Sequence, residues 1–319
     1  MSSTTPPKQV ALVVGASRGI GRQIAIDLAK NNYIVIVSAK TTSDPTLCTP
    51  FPPDPNSPSS TINTVALEIT STGGTATPIA VDTRSPASIQ ALVTATIALH
   101  GRIDILIYNA GAIYWAPVAG TPLSRFLLLE RINPQGLYAT IQSCLPHFAA
   151  RGWRARIVVV SPPIYSRFFR GKTAYAMGKV GMSVLTKGLG MDFEKAGWAG
   201  MAVTSLWPAT GIESAATVTA VAGEEGKREL RKATVFSDAV LAVIRAPVER
   251  VNGLLEIDED FLRREEGVSE FGRYSVVEGA EPRRIMPRVL PRLEVEEQDD
   301  EGVRVDSNEL REREGKAKL

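Results

Sequence analysis

A doubly wound α/β fold, built on a parallel sheet covered on both faces, is what this 319-residue sequence predicts. Three observations carry that reading. Seven short runs are almost wholly apolar, they alternate with stretches of helical periodicity, and glycines cluster where the first run gives way to the first helix. Near-continuous hydrophobicity is what a strand buried on both faces requires. Strands alternating with helices imply right-handed crossovers and a parallel sheet. Ligands of such sheets bind beyond the carboxyl ends of the strands, near the point where the strand order reverses.

The first strand is expected at Val10–Val14. It runs into GASRGIG, which sets Gly15, Gly19 and Gly21 before a helix whose Ile20, Ile24 and Leu28 recur on one face. A second strand is expected at Ile34–Val37. It is followed by SDPTLCTPFPPDPNSPSS, Ser43–Ser60, whose prolines remove donors and fix φ, so a long surface loop is expected there. Strands at Thr77–Val81 and Ile103–Tyr108 flank a helix at Ser85–His100. One long helix is expected at Leu123–His147, a strand at Ile157–Val160, a helix at Ala174–Phe193, and strands at Ala202–Leu206 and Leu254–Ile257. Thr210–Lys232, Ala/Val/Thr-rich at its start and then EEGKREL, reads as a mobile lid over a substrate.

The formal net charge of +2 is a sum of unlike parts. Residues 294–319 carry ten acids and five bases, which leaves residues 1–293 at +7. With few apolar residues and no helical period, the tail 294–319 is expected to be disordered, and residues 1–293 form a single domain. Two cysteines, Cys48 and Cys144, exclude a disulfide framework and favour a reducing compartment. No run reaches the roughly 20 apolar residues of a membrane span, and MSSTTPPK lacks a signal-peptide pattern. Arg283, Arg284, Arg288 and Arg292 alternate with prolines and acids, as a solvated surface segment does, so no nucleic-acid partner is expected. No metal site is assigned.

Two patterns carry chemistry. The glycine turn lets the backbone bend sharply and lets a pyrophosphate approach a helix N-terminus. The same residues spell G-x-S-x-G with Ser17 at the nucleophile position of a hydrolase. That reading needs several preceding strands and a partnered His. Only one strand precedes Ser17, and His100 and His147 fall in helices with no evident acid beside them. The second pattern is Tyr175 and Lys179, an i, i+4 pair at the start of a helix. An ammonium beside a phenol favours the phenolate, which suits proton exchange with a substrate hydroxyl or carbonyl.

GASRGIG, Asn109-Ala110-Gly111 and Tyr175-x-x-x-Lys179, in that order, resemble the short-chain dehydrogenase/reductase family over about Gln9–Ile257. SPPIYSRFFRGKTAYAMGK, SLWPATGIESAA and LEIDEDFLRREEGV are similar to its hydroxysteroid dehydrogenase-like branch, whose members usually carry a C-terminal sterol-carrier domain where this chain has the charged tail. The resemblance implies a Rossmann-type fold and roles position by position. Gly15, Ser17, Arg18, Gly19, Ile20 and Gly21 would surround the pyrophosphate and adenosine end of the cofactor, Asp82 the adenine, and Asn109 the adenosine-side ribose. Tyr175 would exchange the proton, Lys179 would bind the nicotinamide ribose, Asn133 would position a relay water, and the Ile212 backbone would meet the carboxamide. It also implies homo-oligomers paired through Leu123–His147.

One departure matters. The family's serine, thirteen residues before the tyrosine, is Pro162 here, with Ser161 beside it. Either Ser161 is re-aimed as the hydroxyl donor, or Tyr175 works with less help, or the chain is a cofactor-binding protein with weak or no dehydrogenase activity. The end of the second strand reads Ser38-Ala39-Lys40, without the acid that grips both ribose hydroxyls of NAD. Arg18 and Lys40 converging there favour NADP. The expected function is thus an NADP(H)-dependent oxidoreductase acting on a hydroxyl or carbonyl of an apolar substrate, with the lipid class implied by the resemblance alone. Ala317-Lys318-Leu319 is close to the S-K-L signal read by the peroxisomal import receptor. A peroxisomal location is expected, with the cytoplasm as the alternative.

Overall fold

The computed structural model describes residues 7–218, 223–296 and 306–313. The chain divides into two units, Met1–Val289 and Leu290–Leu319.

The first unit is the doubly wound sheet. Its strands are β1 (Val10–Val14), β2 (Ile34–Ala39), β3 (Thr75–Ala80), β4 (Ile105–Tyr108), β5 (Arg154–Val160), β6 (Gly200–Trp207) and, after a short parallel pair β7 (Gly211–Ile212) and β8 (Leu230–Arg231), β9 (Leu254–Ile257). The seven-stranded sheet runs β3-β2-β1-β4-β5-β6-β9, and every pairing is parallel. The order reverses between β1 and β4, so the glycine turn after β1 and Asn109–Gly111 after β4 lie side by side at the switch point.

The helices are α1 (Gly19–Lys30), α2 (Ile62–Ser71), α3 (Pro86–His100), α4 (Leu123–Glu130), α5 (Gly136–Ala149), α6 (Thr173–Lys195), short α7 (Ala215–Val218) and α8 (Gly223–Lys227), α9 (Thr234–Arg245), α10 (Val248–Val251) and α11 (Asp258–Glu266). They form two layers, and the pleat of each strand serves both. Ala11 and Val13 of β1 pack with Leu28 of α1, Val65 of α2, Val240 of α9 and Phe261 of α11. Val10, Leu12 and Val14 pack with Leu92 of α3, Ile141 of α5 and Met182 of α6.

The single helix expected over Leu123–His147 is broken. Residues Arg131–Gln135 form a π-helical turn between α4 and α5. Pro134 has no N–H to donate and its ring crowds the preceding turn, so the ladder widens there. The turn leaves Asn133 fully buried. The proline-rich stretch is irregular, as expected, apart from one 3-10 turn at Pro45–Leu47. It folds onto the glycine turn: Gly19 N–H donates to the Pro55 carbonyl (3.1 Å) and Ser60 Oγ to the Ser17 carbonyl (2.7 Å).

Of the second unit, residues 290–296 and 306–313 are described. Ser307–Arg313 forms a helix, α12, with no buried residue. Asp306 Oδ1 accepts from the N–H groups of Asn308 (2.7 Å) and Glu309 (3.3 Å), so one acidic side chain caps the first turn. Ala317-Lys318-Leu319 lies outside the described residues. Among the described residues, no helix is long and apolar enough to cross a membrane.

Candidate active site

At the switch point the glycines are required by contact. Gly15 adopts φ +91°, and a Cβ there would sit 2.5 Å from the Ala110 nitrogen. A Cβ on Gly21 would collide with the Gly15 carbonyl. The Gly15 and Ala16 N–H groups both donate to the Ser38 carbonyl (2.7 and 3.0 Å), fixing the turn against β2. Asn109 Nδ2 donates to the Gly15 carbonyl (2.8 Å), so the Asn109 amide braces the turn from β4. With Gly19 N–H taken by the loop, no acceptor among the described residues pairs with the N–H groups of Ile20 and Gly21, the next donors of the helix start.

A cleft of about 440 Å³ opens here, lined by Gly15, Ser17 and Arg18 of the turn, Lys40 after β2, Asp82 and Arg84 after β3, and Asn109–Gly111. Arg84 Nε donates to both Asp82 oxygens (2.8 and 3.1 Å), and Lys40 Nζ lies 3.8 Å from the same carboxylate. The Arg84 guanidinium, with Lys40 adding less, holds the Asp82 carboxyl well below the usual carboxylate range. Arg18, Lys40 and Arg84 against one ionised Asp82 leave the cleft cationic, and its glycine floor lets backbone come close. These residues fit a phosphorylated dinucleotide. Arg84 was not singled out from the sequence, where an arginine two positions past an acid looks like any loop residue. Ile212 lies in β7, buried, and its carbonyl accepts from Thr217 Oγ1 (2.6 Å), a bond that holds the turn into α7.

Tyr175 and Lys179 occupy the first two turns of α6, beyond the end of β5. Tyr175 is 2% exposed. Trp115 meets its ring edge-on at 6.1 Å and Phe168 lies at 6.2 Å. Lys179 Nζ donates to the Val160 carbonyl (2.8 Å), its one acceptor among the described residues, and lies 5.5 Å over the Trp207 ring. A Cβ on Gly111 would stand 3.2 Å from Lys179 Nζ and 3.4 Å from Asn133 Oδ1, so lysine, asparagine and glycine converge. Asn133 Oδ1 accepts from Ala112 N–H (2.9 Å) and Nδ2 donates to the Ala112 carbonyl (3.3 Å), which ties the strand β4 exit to the π-turn.

Burial governs both titrating groups. It pushes the Tyr175 phenol above its ordinary value and pulls Lys179 down to about 7. The spacing argument anticipated a phenol made more acidic by its neighbour's charge. In the folded chain desolvation outweighs that effect, because the lysine that would supply the charge is itself sealed from water.

Ser161 requires a correction. Its hydroxyl donates to Ser205 Oγ on β6 (3.0 Å), and Ser205 Oγ donates back to the Ser161 carbonyl (2.6 Å). Both are fully buried. Ser183 Oγ, on α6, donates to the Pro162 carbonyl (2.6 Å) and pins the Pro162-Pro163 corner. The re-aiming envisaged from the sequence therefore turns Ser161 into the sheet. It does not bring the hydroxyl to Tyr175.

A glycine turn and cationic cleft thus lie at the switch point, with a phenol and a lysine one helical turn apart beside them. The model of the short chain dehydrogenase family matches residues 56–223, and the chain belongs to that family. A hydroxysteroid dehydrogenase-like protein 2 from Danio rerio is 35% identical over 269 residues, covering 84% of this chain and 60% of that protein. The mouse protein of the same description is 34% identical, with 51% of its length covered. The chain thus spans only about half to three-fifths of these relatives. Among solved structures, a short chain dehydrogenase from Mycobacterium thermoresistibile is 33% identical with a TM-score of 0.73, covering 86% of this chain and 93% of that one. The family uses nicotinamide cofactors.

Proposed function

We propose that this chain is an NADP(H)-dependent oxidoreductase that interconverts a carbonyl and a hydroxyl on an apolar, lipid-type substrate. The observation that carries the reading is Tyr175 on the first turn of α6, with Lys179 and Asn133 converging behind it. A bound nicotinamide supplies or accepts the hydride at the substrate carbon. The rest falls to the chain. Tyr175 holds its proton at neutral pH because it is buried, and a neutral phenol suits donation to a carbonyl oxygen, the reductive direction. Lys179, pulled to about 7, exchanges a proton readily near neutrality and stands where it can resupply the phenol by way of groups around Asn133. Trp115 and Phe168 pack on the Tyr175 ring and Trp207 packs on Phe168, aromatic carbon that fits an apolar group.

Cofactor choice rests on Arg18, Lys40 and Arg84, and on the lack of an acid in Ser38-Ala39-Lys40. NADPH is expected to bind at least about tenfold tighter than NADH, with Lys40→Ala removing most of that preference. Fluorescence titration checks it: equal dissociation constants, or no loss in the variant, refute the NADP assignment. The second reading, a cofactor-binding protein with weak or no dehydrogenase activity, is favoured by one observation, the Ser161 hydroxyl bonded into the sheet beside Pro162. NADPH binding without Tyr175-dependent turnover on any acyl or steroid carbonyl would establish it. The reading places the activity in peroxisomes, on the strength of Ala317-Lys318-Leu319.

A further inference from the structure

Lys172 stands three residues before Tyr175, at the start of α6, and no motif of the site accounts for it. Its ammonium lies 4.0 Å over the Phe168 ring, 5.8 Å from the Trp115 centroid and 6.0 Å from the Tyr175 centroid. Among the described residues no carboxylate pairs with it and no oxygen accepts from it. Half-buried against three π faces, it keeps its remaining hydration only on the open side, and burial already lowers its pKa. The surroundings offer it no acid in sequence either: from Arg131 to Met191 the chain has none, while Arg167, Arg170 and Lys179 fall in the same stretch.

The consequence follows from desolvation. Tyr175 can react only with a group brought against it, under Trp115 and Lys172. A neutral apolar molecule settling there would strip the last water from the ammonium and return nothing. Aromatic faces compensate a desolvated cation only in part. An anionic group on the same molecule would return a charge-assisted hydrogen bond in a site of low dielectric.

We propose that Lys172 is the substrate-recognising cation of this site, and that the substrate is an apolar chain bearing a carboxylate a few bonds from the reacting carbon, an oxo- or hydroxy-acid rather than a neutral sterol or ester. This rests on the reading of Tyr175 as the proton donor. It also accounts for a site without a serine hydroxyl: the anion held by Lys172 orients the carbonyl that the serine would otherwise have helped to place.

The test uses the full chain with NADPH. Binding of decanoate and of decan-1-ol is measured by calorimetry, and turnover of 4-oxodecanoate and its methyl ester by NADPH oxidation, in the parent, Lys172→Met and Lys172→Arg. Met keeps the length and the aromatic contact without the charge. The parent is expected to bind decanoate at least tenfold tighter than decanol. Lys172→Met should erase that preference, leave decanol within twofold, and raise KM for the acid at least tenfold with kcat and the ester little changed. Lys172→Arg should restore most of it. Equal binding of acid and alcohol by the parent, a preference that survives in Lys172→Met, or parallel loss of both probes overturns the proposal. Decanoate preference without turnover of acid or ester would instead overturn the Tyr175 reading and leave Lys172 an anion site.

Discussion

Ser161 and Pro162 sit where this family places its hydroxyl donor, and their local bonds determine what can act on a carbonyl. Ser161 Oγ is committed to Ser205, and Ser183 secures the carbonyl of Pro162. Loss of a true oxyanion donor costs about 10²–10³ in kcat. Ser161→Ala should instead change kcat/KM by less than about threefold and cost about 1 kcal/mol of stability, the loss of one buried hydrogen bond. Steady-state kinetics and denaturant unfolding check this, and a hundredfold fall in kcat would return Ser161 to the chemistry. At this scale the motif residues were legible, Gly15, Gly21, Tyr175 and Lys179 from their spacing and Asn109 from the family resemblance, and in the fold Asn109 braces the glycine turn while Lys179 stands against Gly111. Arg84, Ser183 and Lys172 were not. Ser183 reaches across elements to Pro162, while Arg84 and Lys172 meet Asp82 and Phe168, two and four residues back, through loop geometry that no motif encodes. The phenol's raised pKa was hidden for the same reason, since burial is a property of the packed chain.

Among the elements, the apolar strands were readable because each is buried on both faces. The helices α2, α9 and α11 were not assigned, although α9 buries most of its length between α1 and α11. The break at Arg131–Gln135 could have been suspected from Pro134, since a proline inside a helical pattern marks a disruption. Helix α6 offers a paired test of packing. A Cβ on Gly190 would stand 2.7 Å from the Gly253 Cα, just before β9, whereas one on Gly188 meets nothing within 4 Å. Gly190→Ala should therefore destabilise by about 1–3 kcal/mol through overpacking. Gly188→Ala should stabilise by about 0.5–1 kcal/mol through helix propensity. Chemical denaturation of the two variants should give opposite signs, and equal shifts would remove the close approach of α6 to the sheet as a determinant of stability.

For the whole molecule, the near-zero net charge resolves into a basic body, which carries the cationic cleft, and an acidic tail in which α12 is held by its own cap and by the Glu309–Arg313 pair. We propose that Ala317-Lys318-Leu319 serves as a peroxisomal address. A fluorescent protein fused ahead of residue 1 should collect in peroxisomes, and a residue added after Leu319 should release it, because the receptor reads a free terminus. Diffuse fluorescence from both fusions would place the chain elsewhere.

Under the proposed function, Tyr175 moves the proton in an NADPH-dependent reaction. Tyr175→Phe deletes one oxygen and keeps the ring that packs against Trp115 and Phe168. Measured side by side, NADPH affinity should stay within about twofold while carbonyl-dependent NADPH oxidation falls by about 10²–10⁴, the range of a positioned general acid. Turnover in the variant equal to that of the parent would contradict the account.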